Sequence, residues 1–174
     1  MQLPPDWSEF LSALKRHGVR FLLVGAHALA AHGRPRATQD LDVLVAPTPA
    51  NARRVAAALV DFGFAKFAGD WRWFTKPYRV TMLGRLPYRI DVLTGISGVS
   101  FATAWKHRAT VMTDLGALAV IGLADLRANK LAAGRPKDLA DIALLDELAL
   151  ARRPRKRATP RAAAARTAPA RTGR

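Results

Sequence analysis

The chain has 174 residues, 50% of them hydrophobic and none of them cysteine, which suits one core and excludes disulfides and thiolate metal sites. The longest apolar run, over 21–31, is broken by Gly25 and His27 and is too short to cross a membrane. The first ten residues lack the basic start and apolar segment of a secretory signal, so the expectation is a cytoplasmic protein with no membrane partner. The net charge of +15 is uneven: nine of the 28 Lys and Arg fall in residues 152–174, which hold no acid. The body over 1–151 is only moderately basic, a balance that favours an anionic partner without identifying one.

Residues 6–18 read as an amphipathic helix. Asp6 or Ser8 can cap it, Trp7, Phe10, Leu11 and Leu14 recur at helical spacing, and Gly18 can end it. A short apolar strand over 19–25, an Ala-rich helix over 26–33 and a second strand over 41–46 follow. Residues 48–63 carry a cap, a Pro and a closing Gly, and make a helix. The middle of the chain reads as β-rich, because 64–67, 71–75, 78–83 and 88–94 are aromatic or β-branched segments separated by Gly and Pro. Residues 109–121 fit a hairpin turning near 114–116. A helix over 123–134 has Leu123, Leu126 and Leu131 on or near one side. A last helix over 136–151 has Leu139, Ile142 and Leu145 as its buried stripe. The tail over 152–174 is low-complexity Arg, Ala, Pro and Thr, with little apolar bulk to offset the entropy of ordering, and is expected to be disordered.

The chemistry begins at "RATQDLDVLVAP". Asp40 and Asp42 are two apart on a strand and point to the same side, where they repel unless a cation or a proton intervenes. Mg²⁺ prefers carboxylate oxygens and often keeps phosphate oxygens as further ligands, so the pair is half of a cage for a metal–triphosphate. A solvated strand end is the alternative. Asp91 stands in "RIDVLTG", which repeats the Asp-Val-Leu pattern of "LDVLV". If the two strands are neighbours, three carboxylates converge on one sheet face, an arrangement suited to two metal ions about 3.5–4 Å apart. Asp91 could equally pair with Arg89 or Arg36. The strand that breaks at Gly25 and opens into a helix presents backbone N–H groups of the kind that attract phosphate. His27 and His32 have no partner at ligand spacing and read as helix-surface or core histidines. In "NKLAAGRPKDLAD", Lys137 and Asp141 are four apart and could form a local ion pair. Lys130 either snorkels along the core edge or reaches toward the acids and a phosphate.

In this order the motifs "VGAHALAAHGRPRATQDLDVLV", "RIDVLTGISGVSF" and "LADLRANKLAAGRPKDLADIALL" resemble the nucleotidyltransferase core of the DNA polymerase β superfamily. The closer resemblance is to the AbiEii-type nucleotidyltransferases of bacterial toxin–antitoxin systems and their uncharacterised relatives, over residues 7–150. It implies an α+β minimal nucleotidyltransferase fold, with a mixed β-sheet flanked by helices and C-terminal helices before the tail. It implies transfer of a nucleotidyl group from a nucleoside triphosphate, with two Mg²⁺ ions, to an acceptor hydroxyl. By the same resemblance Asp40, Asp42 and Asp91 are the metal-binding and catalytic acids, Asp91 helping to activate the acceptor. Gly25 and Ala26 match the triphosphate turn, and Arg36 and Thr38 match the Arg-x-Thr before the first acid. Lys130, Lys137, Asp138 and Asp141 match the C-terminal nucleotide-handling motif. Ala26 departs from the pattern, since Ser or Gly is usual there and a hydroxyl ligand is missing. The resemblance leaves the acceptor open among a tRNA end, a protein side chain and a small molecule; the preferred reading is a toxin-type enzyme acting on RNA, in particular tRNA, with a cognate antitoxin as partner. Two other readings are a catalytically inactive nucleotidyltransferase-fold binding or regulatory module, and an antibiotic nucleotidyltransferase, which the basic body disfavours.

Overall fold

The structure, a computed structural model, describes residues 3–151, so the tail over 152–174 lies outside the described residues. Helix α1 (Pro5–Arg16) buries Trp7, Phe10, Leu11 and Leu14 as their spacing predicts. Its N-terminus differs from expectation. Pro4 holds the cap position and Pro5 the first turn, so neither Asp6 nor Ser8 caps; Asp6 instead sits in the first turn, where an acid complements the helix dipole. Gly18, at φ +62°, carries the chain out of the helix. Strand β1 (Phe21–Leu23), helix α2 (Gly25–Ala31) and strand β2 (Asp40–Val45) follow, and then helix α3 (Pro49–Asp61), whose Asn51 N–H donates to the Thr48 hydroxyl at the cap.

The β-rich reading of the middle holds only in part. Residues 64–67 and 71–75 are not strands. They form 3-10 turns over Ala65–Phe67 and Trp71–Thr75 that press Phe67 and Phe74 into the core. Their aromatic residues signalled burial, and burial against α3 needs no pairing partner. Strands β3 (Val80–Leu83) and β4 (Arg89–Leu93) are as expected, a short helix α4 (Phe101–Lys106) follows, and β5 (Ala109–Thr113) and β6 (Gly116–Val120) make the hairpin. Helices α5 (Leu123–Ala133) and α6 (Pro136–Ala151) close the described chain. Gly134, left-handed at φ +62°, ends α5 by donating its N–H to Lys130 O.

The strands make one mixed sheet in the order β3-β4-β2-β1-β6-β5, with β2 parallel to β4 and β1 parallel to β6, and the other pairs antiparallel. Alternation divides it into two faces. Leu41, Val43 and Val45 of β2 share a side with Ile90 and Val92 of β4 and Leu83 of β3, all buried. The opposite side carries Asp40 and Asp42, Arg89, Asp91 and Leu93, and the exposed Val80 and Met82. Asn51 of α3 ties the sheet to its helix layer, donating to Arg20 O and Ala46 O and accepting from Arg20 N–H.

The expected stripe on α6 holds only at Leu145. Leu139 is exposed and Ile142 only half-buried, while Asp138, Asp141 and Leu145 are buried. On α5, Leu131 is likewise exposed. A face carrying two acids goes inward because α5 meets it with a lysine.

Candidate active site

The parallel register of β2 on β4 sets Asp42 directly opposite Asp91 and Asp40 opposite Arg89. The three carboxylates therefore do share one sheet face. Arg89 stands among them: its Nη2 donates to Asp40 Oδ2 at 2.8 Å, and its Nε and Nη2 donate to the two oxygens of Asp91 at 2.9 and 3.0 Å. Thr38 supports the same cluster, its hydroxyl donating to Asp40 Oδ1 at 2.6 Å. Asp42 differs. Among the described residues it has no ion-pair partner. Burial first, then the charges of Asp40 and Asp91, push its carboxyl up to about 6, with Lys137 and Lys130 opposing this only in part.

Gly25 makes room for Asp42. A Cβ at position 25 would lie 2.0 Å from Asp42 Oδ2, and the backbone there is left-handed at φ +60°. Ala26 is buried and does not line the cavity described below.

The α5–α6 corner is built differently from expectation. Lys130, only 2% exposed, bonds Asp138 Oδ1 at 2.9 Å and Asp141 Oδ2 at 2.8 Å, so it neither snorkels nor reaches the strand acids. Asp141 also receives Arg36 Nε at 3.0 Å, and Asp138 receives Arg135 Nε at 2.7 Å. Burial alone would raise Asp138, but the hydrogen bonds from Arg135 and Lys130 outweigh it and hold its carboxyl at about 2. The expected Lys137–Asp141 pair is absent among the described residues; Lys137 is exposed and faces the cavity. Asp138 and Asp141 thus sit behind the wall, fixing the cations that form it.

A cavity of about 470 Å³ joins these groups. Of the residues singled out from sequence, Gly25, Arg36, Thr38, Asp40, Asp42, Asp91, Lys130 and Lys137 line it. It also takes in Tyr78, Val80, Gly95, Ser97 and Asn129, which sequence reasoning passed over. The one local signal for Tyr78 is the Pro before it, which marks a turn. His27 and His32 are packed, as read: His32 lies with Nε2 2.8 Å from Ile121 O, and His27 meets the Trp7 ring edge-on.

Among the described residues no three carboxylate or histidine groups enclose an ion as the side chains stand. The donor set nevertheless fits Mg²⁺ in kind: hard oxygen ligands on one face, one of them with its charge uncompensated.

No protein-family model matches the chain, and no curated protein matches it in sequence. Among solved structures it is similar to a provisionally assigned nucleotidyltransferase from Thermotoga maritima, at TM-score 0.51 and 15% identity over 83% of this chain and 96% of that one. It is also similar to an antigenic nucleotidyltransferase-like protein from Paracoccidioides brasiliensis, at TM-score 0.51 and 12% identity over 82% of this chain and 75% of that one. The chain has the nucleotidyltransferase fold, an α+β architecture with an open mixed sheet and flanking helices. The narrower resemblance to AbiEii-type enzymes rests on the sequence motifs.

Proposed function

We propose that the chain is a Mg²⁺-dependent nucleotidyltransferase that moves a nucleotidyl group from a nucleoside triphosphate to an acceptor hydroxyl. The observation that carries this reading is the β2–β4 register, which puts Asp42 beside Asp91 on the open face of a nucleotidyltransferase fold. Asp40, Asp42 and Asp91 would hold two Mg²⁺ ions, which when bound would neutralise the triphosphate and make the attacking hydroxyl more acidic. Gly25 leaves the space that the Asp42 carboxylate occupies, since a Cβ there would lie 2.0 Å from Asp42 Oδ2. Lys137, the exposed cation of the α6 wall, meets the phosphates, with Arg36 behind it anchored to Asp141. In the transfer the acceptor oxygen bonds the α-phosphorus, the bond to pyrophosphate breaks, and the acceptor proton passes to Asp91. Arg89 must release Asp91 for that.

For the acceptor we take RNA, specifically tRNA, in a toxin–antitoxin setting with a cognate antitoxin as protein partner. The support is the motif resemblance and the excess of Lys and Arg, which neutralise phosphates. One observation favours a second reading, a binding or regulatory module without catalysis: Arg89 pairs with both Asp40 and Asp91, two of the three acids that would hold the ions. Thermal unfolding separates the two. With Mg²⁺ present, at least one nucleoside triphosphate should raise the melting temperature by mass action, and Asp42→Asn should remove the effect. A folded protein that responds to none of them would favour the module.

A further inference from the structure

Tyr78 stands where a turn ordinarily uses glycine. It follows Pro77 in the turn 76–79 that leads into β3, and its φ is +54°. That left-handed conformation is costly for an aromatic residue, and Pro-initiated turns that need it take Gly or Asn. The surroundings impose it. The hydroxyl of buried Thr94 donates to Lys76 O at 2.6 Å and accepts from Arg79 N–H at 2.9 Å, while the Thr94 N–H donates to Arg79 O at 3.0 Å. One residue after β4 therefore clamps both sides of Tyr78.

The clamp does not serve packing. Tyr78 is 70% exposed, and among the described residues its hydroxyl has no hydrogen-bond partner and its ring no aromatic neighbour. The ring instead lines the cavity beside Gly95, where a Cβ would come within 3.1 Å of the Tyr78 N and 3.2 Å of its Cδ1. Strain maintained for a side chain that buries little marks a ligand contact.

The cavity has two further kinds of wall. Lys130, Arg135 and Lys137 form a cationic one, and Tyr78, Val80, Leu93 and Ile96 an apolar one across the acids. Its volume of about 470 Å³ suits a single small ligand. A nucleoside triphosphate has an anionic end for the first wall and a planar, uncharged ring for the second. Resting on the function proposed above, we infer that Tyr78 is the nucleobase platform, on which the base of the donor triphosphate stacks. Thr94 positions it and Gly95 gives it room.

The test is calorimetric binding of ATP, GTP, CTP and UTP, with inorganic tripolyphosphate as the base-free probe, all with Mg²⁺ on the full chain. Tyr78→Gly should melt at the same or a higher temperature, because the turn suits glycine. It should bind the preferred nucleotide about 5- to 150-fold more weakly, as loss of base stacking predicts, with tripolyphosphate binding unchanged. Tyr78→Phe should bind like the wild type. Unchanged nucleotide affinity in Tyr78→Gly, or an equal loss of tripolyphosphate, would overturn the platform and leave the proposed function standing. A wild-type protein that binds none of the four nucleotides would overturn both.

Discussion

Asp42 is the residue on which stability and function pull apart. Its folded-state pKa of about 6 lies above the ordinary 3.8, so the native state holds its proton more tightly than the unfolded chain does. Without metal, the Asp42 contribution to stability is fully present below pH 3.8, falls as pH rises to about 6, and is constant above that. The loss amounts to about 3 kcal/mol. Asp42→Asn should therefore raise the melting temperature at pH 7 by roughly 5–10 °C and flatten its pH dependence, while Mg²⁺-supported nucleotide binding disappears. A variant that melts lower than the wild type at pH 7 would show that Asp42 is compensated. Gly25→Ala acts on the same atom from the other side. Its Cβ would collide with Asp42 Oδ2 in a left-handed backbone, so denaturant unfolding should show a loss of about 1–3 kcal/mol. Arg89→Met leaves Asp40 and Asp91 adjacent without their shared cation. Its melting temperature should fall in chelator and recover with added Mg²⁺, whereas the wild type should respond much less to the ion alone.

At the scale of elements, the α5–α6 corner is held by charge. Asp138 and Asp141 are buried and share the Lys130 ammonium. Lys130→Met should destabilise the fold by about 3 kcal/mol, measured by circular dichroism melting, because two buried carboxylates lose their shared ammonium and keep one arginine each. Loss of activity in that variant would then report loss of this support together with a cation of the cavity wall. Asp138, held at about 2, contributes its stability above pH 3.8 and loses it as pH falls toward 2, so acid should loosen this corner. Here the sequence misled. The apolar period of 136–151 pointed to Leu139, Ile142 and Leu145, because periodicity registers apolar residues and is blind to an acid made buriable by a lysine six residues before the helix begins. The strand acids were legible for the opposite reason. Parallel neighbours in one sheet meet the same environment on both faces, so β2 and β4 carry matching Asp-Val-Leu patterns. Arg89 was visible only as one candidate partner of Asp91, since its span from Asp91 to Asp40 depends on the strand register. The aromatic runs at 64–67 and 71–75 gave burial but not conformation. Tyr78 signalled only the start of a strand over 78–83, which begins at Val80; its meaning lies in a backbone angle set by Thr94.

For the whole molecule, the division of labour is between the two faces of the sheet. One is apolar against α1 and α3, and its rigidity fixes the register of the other, where acids, an arginine and an open cavity meet. Among the described residues no helix is long and apolar enough to cross a membrane. The fold is that of nucleotidyltransferases, and the account stands or falls on whether this face transfers nucleotidyl groups. The direct measurement is incubation of the full chain with each α-phosphate-labelled nucleoside triphosphate, Mg²⁺, total tRNA and cell lysate. The account predicts label joined to an acceptor with at least one nucleotide, and none in chelator or with Asp42→Asn. A folded wild-type chain that leaves all label in free nucleotide would contradict it.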